Sequence, residues 1–187
     1  MSARESRRDQ DGQEPRPTVS RAPVDFDEWY RREYPRAVRF AYALTHDAED
    51  AEDLAQDAFI AASARWDELS TYERPDLWVR RAISNRSKSR LRRLYSTART
   101  MARLRAQATF VVDPTTRVED HEALAALAQL PERQRTAVAL TYLEDRPLAE
   151  IAEVLQCTVE TARTHRRRGE ARLQTLIGGT EDERRDQ

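Results

Sequence analysis

Glycine and cysteine are nearly missing from this chain: four glycines and one cysteine stand among 187 residues. A sheet protein needs turn glycines and β-branched runs, so their scarcity points to helices. The lone Cys157 excludes a disulfide within the chain and fits a reducing compartment. No apolar run approaches the roughly 20 residues needed to span a bilayer. Met1 to Arg21 is polar and has no secretory apolar core, so a cytoplasmic protein with no membrane contact is expected. An excess of one charge is lacking too. The net charge is −1, which by itself speaks against a partner as acidic as DNA.

Segregation of charge along the chain reverses that inference. From Asp25 to Leu69 five arginines face twelve acids, a balance of −7; from Ser70 to Arg105 eleven cations face two acids, a balance of +9. The balance is −6 from Ala106 to Ala162 and +4 from Arg163 to Leu173. A polyanion responds to the local field, and with a Debye length of about 8 Å distant acids hardly cancel a basic patch. Lys88 is the only lysine. The remaining cations are arginines, whose forked guanidinium suits phosphate and guanine.

Along the chain, residues 1–23 carry three prolines and dense mixed charge, the composition of a disordered extension. A first helical domain is expected over 24–95. Phe26, Tyr30, Tyr34, Val38, Ala41 and Leu44 step by three or four and form one face. Asp47 can cap a second helix, with Ala51, Leu54, Ala55, Ala58, Phe59 and Ala62 inward, ending near Trp66. A loop with Tyr72 follows over 68–74. Pro75 opens a third helix with Leu77, Trp78, Ala82, Leu91 and Leu94 inward and Arg80, Arg81, Arg86, Lys88, Arg90, Arg92 and Arg93 outward. Residues 96–118 lose the pattern and read as a linker. A second domain is expected over 119–178, closed by Gly178-Gly179, with 179–187 as a flexible tail. The fold class is all-α: two small helical domains on a flexible linker, the second with a helix-turn-helix.

That helix-turn-helix lies between Pro147 and Leu173. Ile151, Val154 and Leu155 make the apolar face of a short helix, Gln156-Cys157 leaves room only for a tight turn, and Thr158 is a suitable N-cap. The next helix carries Thr161, Arg163, Thr164, His165, Arg166, Arg167 and Arg168. Cations for phosphates and small polar groups for base edges compose a helix laid into a major groove. Glu160 fits two roles, accepting from a cytosine amino group or complementing the helix dipole as a first-turn acid.

Two further clusters carry candidate chemistry. The basic helix from Arg80 to Arg93, beside Tyr72, suits single-stranded nucleic acid, where phosphate attraction joins base stacking; an ordinary charged face is the alternative. His46, Asp50, Asp53 and Asp57 fall on one helix face at spacings open to a divalent metal. A helical metal-dependent phosphohydrolase would also need an earlier histidine, and His46 is the first in the chain. An acidic partner-facing stripe is the simpler reading, with no metal, no cofactor and no catalysis.

Taken together, these segments resemble bacterial RNA polymerase sigma factors of the extracytoplasmic-function, sigma-70-like group. Asp50-Ala-Glu-Asp-Leu-Ala-Gln-Asp-Ala-Phe59 is similar to their core-binding signature. Arg74-Pro-Asp-Leu-Trp-Val-Arg-Arg-Ala-Ile-Ser-Asn85 is similar to their −10 region. Leu130-Pro-Glu-Arg-Gln-Arg135 and Ala149-Glu-Ile-Ala-Glu-Val-Leu155 are similar to their −35 domain. The resemblance implies a non-enzymatic initiation factor that binds core RNA polymerase, at the clamp helices of the largest subunit and the flap of the other, and promoter DNA. An anti-sigma factor is a further partner it allows. Asp50, Asp53, Leu54, Gln56, Asp57 and Phe59 would then meet polymerase. Tyr72, Arg80, Arg81, Asn85, Arg86 and Lys88 would meet the −10 strand. Arg135, Thr158, Glu160, Thr161, Arg163, Thr164, Arg166 and Arg167 would meet the −35 element. Gln156 stands where this family commonly has glycine, Arg166 where leucine is frequent, and Glu170 where a basic residue is frequent. A helix-turn-helix repressor or activator working without polymerase is the alternative, but it has no need of the acidic motif.

Overall fold

The computed structural model describes residues 25–98 and 118–185, with side chains over 25–89 and 123–177. The expected extension at 1–23, most of the linker at 96–118, and Leu91, Leu94, Arg90, Arg92 and Arg93 as side chains lie outside the described residues. Every regular element among those described is a helix: α1 (Phe26–Thr45), α2 (Ala48–Ser63), α3 (Trp66–Leu69), α4 (Pro75–Ala98), α5 (Val118–Ala128), α6 (Glu132–Glu144), α7 (Leu148–Leu155) and α8 (Val159–Arg185).

Local sequence explains most of the boundaries. Asp25 caps α1 by accepting the Glu28 amide at 3.4 Å, and Asp47 caps α2 by accepting the Asp50 amide at 2.9 Å. Pro35 sits inside α1, removing one amide donor without ending the helix. α2 stops at Ser63, and Trp66 starts a separate turn where a continuous helix and then a loop were expected. The reason is aromatic packing: the Trp66 ring lies 4.6 Å from Trp29 and 5.2 Å from Phe26, which draws the chain back onto α1. Gly178-Gly179 does not close the fold, because α8 continues to Arg185. A mid-helix glycine costs only about 1 kcal/mol, and two in a long, already nucleated helix do not stop it.

The turn between α7 and α8 keeps a left-handed corner although its residue is not glycine. Gln156 has φ 51° and ψ 55°, and the Cys157 amide donates back to the Ala152 carbonyl at 3.0 Å. Thr158 then caps α8, accepting the Thr161 amide at 3.2 Å. A side chain in the left-handed region costs about 1–2 kcal/mol, and the extra freedom of unfolded glycine offsets part of that. Gln156→Gly is therefore expected to raise stability by about 0.5 kcal/mol, read as a small upward shift in thermal melting.

One hydrophobic cluster runs from Trp29, Phe40, Phe59 and Ile83 through Leu130, Leu140 and Ile151 to Ala162. Its first half is the aromatic knot of α1, α2 and α3; its second half is α6 gripped by α7 and α8. The two halves touch. α1 packs on α5 and α6, and α4 packs on α7. Residues 135–140 in the middle of α6 are all buried, while Arg133 near its start and Tyr142 and Leu143 near its end are exposed.

Candidate nucleic-acid interface

The first turns of α8 stand clear of the body. Thr158, Glu160, Thr161, Arg163 and Arg167 are exposed and Thr164 is half-buried. Glu160 accepts from Arg163, one turn on, and Thr164 donates to the Glu160 carbonyl at 3.0 Å. Ala162 and Gly169 face inward, and Gly169 lets α8 lie directly against α6. Arg166 departs from this face. It borders α6, with its Nε 3.4 Å from Glu170, which in turn accepts from the Tyr142 hydroxyl at 3.3 Å. Cys157 is half-buried beneath the turn, and burial pushes its thiol pKa up, away from reactivity.

Arg135 corrects the sequence expectation. It is only 9 % exposed, and its guanidinium donates to the carbonyls of Leu130, at 3.0 Å, and of Ala128 and Leu44. This arginine closes the ends of α5 and α1 and is out of reach of a phosphate. Arg133 takes the exposed place. It lies in the first turn of α6, donates to the Leu155 carbonyl at 3.2 Å, and stands near His165 and Arg168. Burial first, then Arg133 and Arg168, hold the His165 pKa below its ordinary value. Residues i and i+2 point roughly 200° apart on a helix, so only one of Arg133 and Arg135 can face out. That spacing is the one signal in the sequence that separates the two arginines.

The −10 set divides in the same manner. Asn85 is exposed and Tyr72, Arg81, Arg86 and Lys88 are half-buried. The Tyr72 hydroxyl donates to Glu68 at 2.6 Å, which, with Arg65, lowers the Glu68 pKa. Arg80, expected outward, is 0 % exposed. Its Nε lies 2.7 Å from Glu144 at the end of α6, and its Nη2 3.5 Å from Glu33 of α1. The spacing carried a signal: Arg80 stands three residues after Leu77 and three before Ile83, both buried, and its carboxylate partners come from α1 and from the end of α6.

On α2, Asp53, Gln56 and Asp57 are exposed and Asp50 is half-buried. Leu54 and Phe59 are interior, 4 % and 2 % exposed, so they support this surface and do not form it. Periodicity alone places both inward; their assignment to the contact surface came from the resemblance. Ile60, 60 % exposed, stands where no site residue was expected. It follows Asp53 at i+7, Gln56 at i+4 and Asp57 at i+3, so it belongs to the acidic face. His46 ends α1 in a left-handed conformation with its ring 5.7 Å from Tyr42. Among the described residues no group of three or more His, Cys, Asp or Glu could hold a metal ion. No helix among them is long and apolar enough to cross a membrane.

Comparison with known proteins agrees with this layout. Residues 29–97 match the family described as Sigma-70 region 2, and residues 120–173 match Sigma-70, region 4. The chain is 31% identical over 154 residues to ECF RNA polymerase sigma factor SigM of Mycobacterium tuberculosis, covering 82% of this chain and 77% of that protein. It is 28% identical over 152 residues to ECF RNA polymerase sigma factor SigW of Bacillus subtilis, covering 74% and 81%. In fold it is similar to the sigma factor RpoE of Bartonella quintana, solved in complex with the anti-sigma factor NepR. That match has a TM-score of 0.72 at 22% identity, over 82% of this chain and 97% of that one.

Proposed function

The chain belongs to the sigma-70 family of RNA polymerase sigma factors, in its extracytoplasmic-function group, and from that premise we propose how its surfaces divide the work of promoter-specific initiation. The observation that carries the proposal is the segregation of charge onto separate faces: acid on α2, arginine on α4 and on α8.

Asp53, Gln56 and Asp57, with Ile60 as an apolar anchor, form the surface for core polymerase. An acidic face on a DNA-binding protein belongs against protein, since phosphate would repel it. An exposed isoleucine ringed by charge is the composition of an anchor within a polar rim. Leu54 and Phe59 hold that face in place from below.

Arg81, Asn85, Arg86 and Lys88 follow the opened −10 strand, with Tyr72 near an unstacked base. Unstacking costs a few kcal/mol, which pocket contacts and stacking offset. Arg163 and Arg167 meet phosphates of the −35 duplex while Thr161 and Glu160 approach base edges. Arg133 and Arg168 replace Arg135 as flanking phosphate contacts. No residue is assigned a catalytic role, and the working compartment is the cytoplasm, where the polymerase is. An anti-sigma factor is proposed as a regulatory partner, by analogy with the complex in which the fold neighbour was solved.

The −35 assignment has a quantitative test. Arg163→Ala and Arg167→Ala should each flatten the salt dependence of duplex binding by about 0.9 in log–log slope, one phosphate contact each. Arg133→Ala should behave alike. An unchanged slope in all three, measured by fluorescence anisotropy across a salt series, removes α8 from the DNA.

A further inference from the structure

We propose that the outer face of α1 is a further grip on DNA, an arginine stripe that takes phosphates of the duplex flanking the opened −10 strand. The inference rests on the reading of α4 as the −10 surface, and it assigns a surface outside the α4 and α8 sets.

The stripe is hidden in the overall charge of its segment. From Asp25 to Leu69 acids outnumber arginines, yet four of the five arginines there fall between positions 31 and 39. Arg31, Arg32, Arg36 and Arg39 are all exposed, and from Trp29 to His46 the one acid among them is Glu33. Glu33 turns inward, its side chain 7 % exposed, while those of Arg32 and Arg36 are 53 % and 55 % exposed. Its Oε1 serves both arginines, at 3.2 Å and 3.8 Å, and its Oε2 lies 3.5 Å from Arg80 of α4. One carboxylate shared three ways leaves the stripe with excess positive charge, and through Glu33 the stripe borders α4. Arg32, Arg36 and Arg39 follow one another at i, i+4 and i+7, on one helix face. Arg32 and Arg36 each stand two residues, roughly 200° of turn, beyond Tyr30 and Tyr34, whose rings pack on Phe59 of α2. The stripe therefore points away from the acidic helix.

The chemistry of this face selects its occupant. The exposed large apolar residues among those described are Ile60, Tyr142, Leu143 and Val159, and none of them is on α1. A protein partner would find no apolar anchor here. A single strand would find no exposed ring to stack on, since Tyr30, Tyr34 and Tyr42 are all half-buried. What remains is a row of guanidinium forks, which suits the phosphates of a duplex. From Arg32 to Arg39 the row is about 10 Å long at about 1.5 Å per residue. That length matches about three phosphate steps of one strand along the duplex axis. Contacts of this kind position DNA without reading its sequence. The stripe holds the flanking duplex while α4 follows the opened strand beside it.

The test reads the salt dependence of duplex binding by fluorescence anisotropy, using the full chain in an Arg163→Ala, Arg167→Ala background that weakens α8. Arg32→Gln, Arg36→Gln and Arg39→Gln together should flatten the log–log slope by about 2.7, three phosphates at about 0.9 each. Lysine at the same three positions should restore the slope, because counterion release follows charge. With native α8 and core polymerase, the triple glutamine chain should bind a promoter with duplex flanks severalfold more weakly and a −10 single strand equally well. An unchanged slope in the free chain overturns the proposal, and so does an equal loss on the single strand. Reduced retention by core polymerase with the slope intact also overturns it, because that result gives the face to protein. If the triple variant is not natively helical, Arg39→Gln decides alone: a slope flatter by about 0.9 is expected, and an unchanged one overturns the proposal. Failure of the native chain to engage core polymerase would instead count against the sigma-factor reading, and the free-chain slopes would still decide the stripe.

Discussion

Phe59→Ala should destabilise the chain by about 3–5 kcal/mol in urea unfolding, the usual cost of removing a buried ring that cannot be filled by collapse. Phe59 is the hub of the aromatic knot. Its ring lies 5.1 Å from both Trp29 and Tyr30 and 5.6 Å from Tyr34. Neighbouring alanines on α2, at 55, 58 and 62, have no long side chains to move into the space. The effect also separates two accounts of this residue. Were Phe59 a surface contact, its truncation would weaken polymerase binding and leave the unfolding midpoint alone. As a core residue it moves the midpoint, and loss of polymerase binding should track the unfolded fraction. The same comparison with Ile60→Ala should give the converse: weaker binding, with stability changed by less than about 0.5 kcal/mol, as for exposed sites.

Gly169→Val should be the most damaging change in the second half. A Cβ at this position would lie 2.6 Å from Val138 Cγ2 and 3.1 Å from the Gln134 carbonyl, so α8 and α6 must separate to admit it. Overpacking of this kind costs about 1–3 kcal/mol and sometimes more. Valine also gives back little of the helix propensity that glycine lacks, because its branched carbon is restricted against the preceding turn. The displaced helix is the one that carries Arg163 and Arg167. Duplex affinity should therefore fall at least tenfold even at temperatures where far-ultraviolet circular dichroism remains helical. Gly169→Ala is the informative intermediate, since its added methyl meets the same neighbours with fewer atoms.

Much of this protein is legible in its sequence. Asp47 and Thr158 act as the N-caps their side chains suggest, and the expected apolar positions of α2 and α7 are buried; on α1 Ala41 and Leu44 are buried, but Phe26, Tyr30, Tyr34 and Val38 lie half-buried at the edge of a stripe centred on Trp29, Ala37 and Phe40. Those features are local, set by residues within one or two turns. The features that depart from expectation are set by distant chain. Arg80 and Arg135 were expected outward because they are charged, yet each is sealed in part by groups 64 and 91 residues away. The middle of α6 is buried on all sides while Arg133 at its start stays exposed, so the i, i+2 spacing tells that one of Arg133 and Arg135 turns in, and only the packing of α1 and α5 tells which. The tight turn holds although Gln156 replaces glycine, since the flanking helices pack well enough to carry a strained residue. Trp66 breaks α2 early for the same reason: tertiary aromatic contacts outweigh a weak local preference for continuing the helix.

Retention by purified core RNA polymerase, followed by run-off transcription from a promoter library, tests the central claim most directly. The native chain should co-purify with core and yield discrete transcripts that core alone does not make. Asp53→Arg with Asp57→Arg should reduce retention at least tenfold while duplex binding through α8 persists, because the two surfaces lie on separate helices. No complex with core and no transcript from the folded native chain would contradict the assignment, and persistent duplex binding would then mark a helix-turn-helix regulator acting without polymerase.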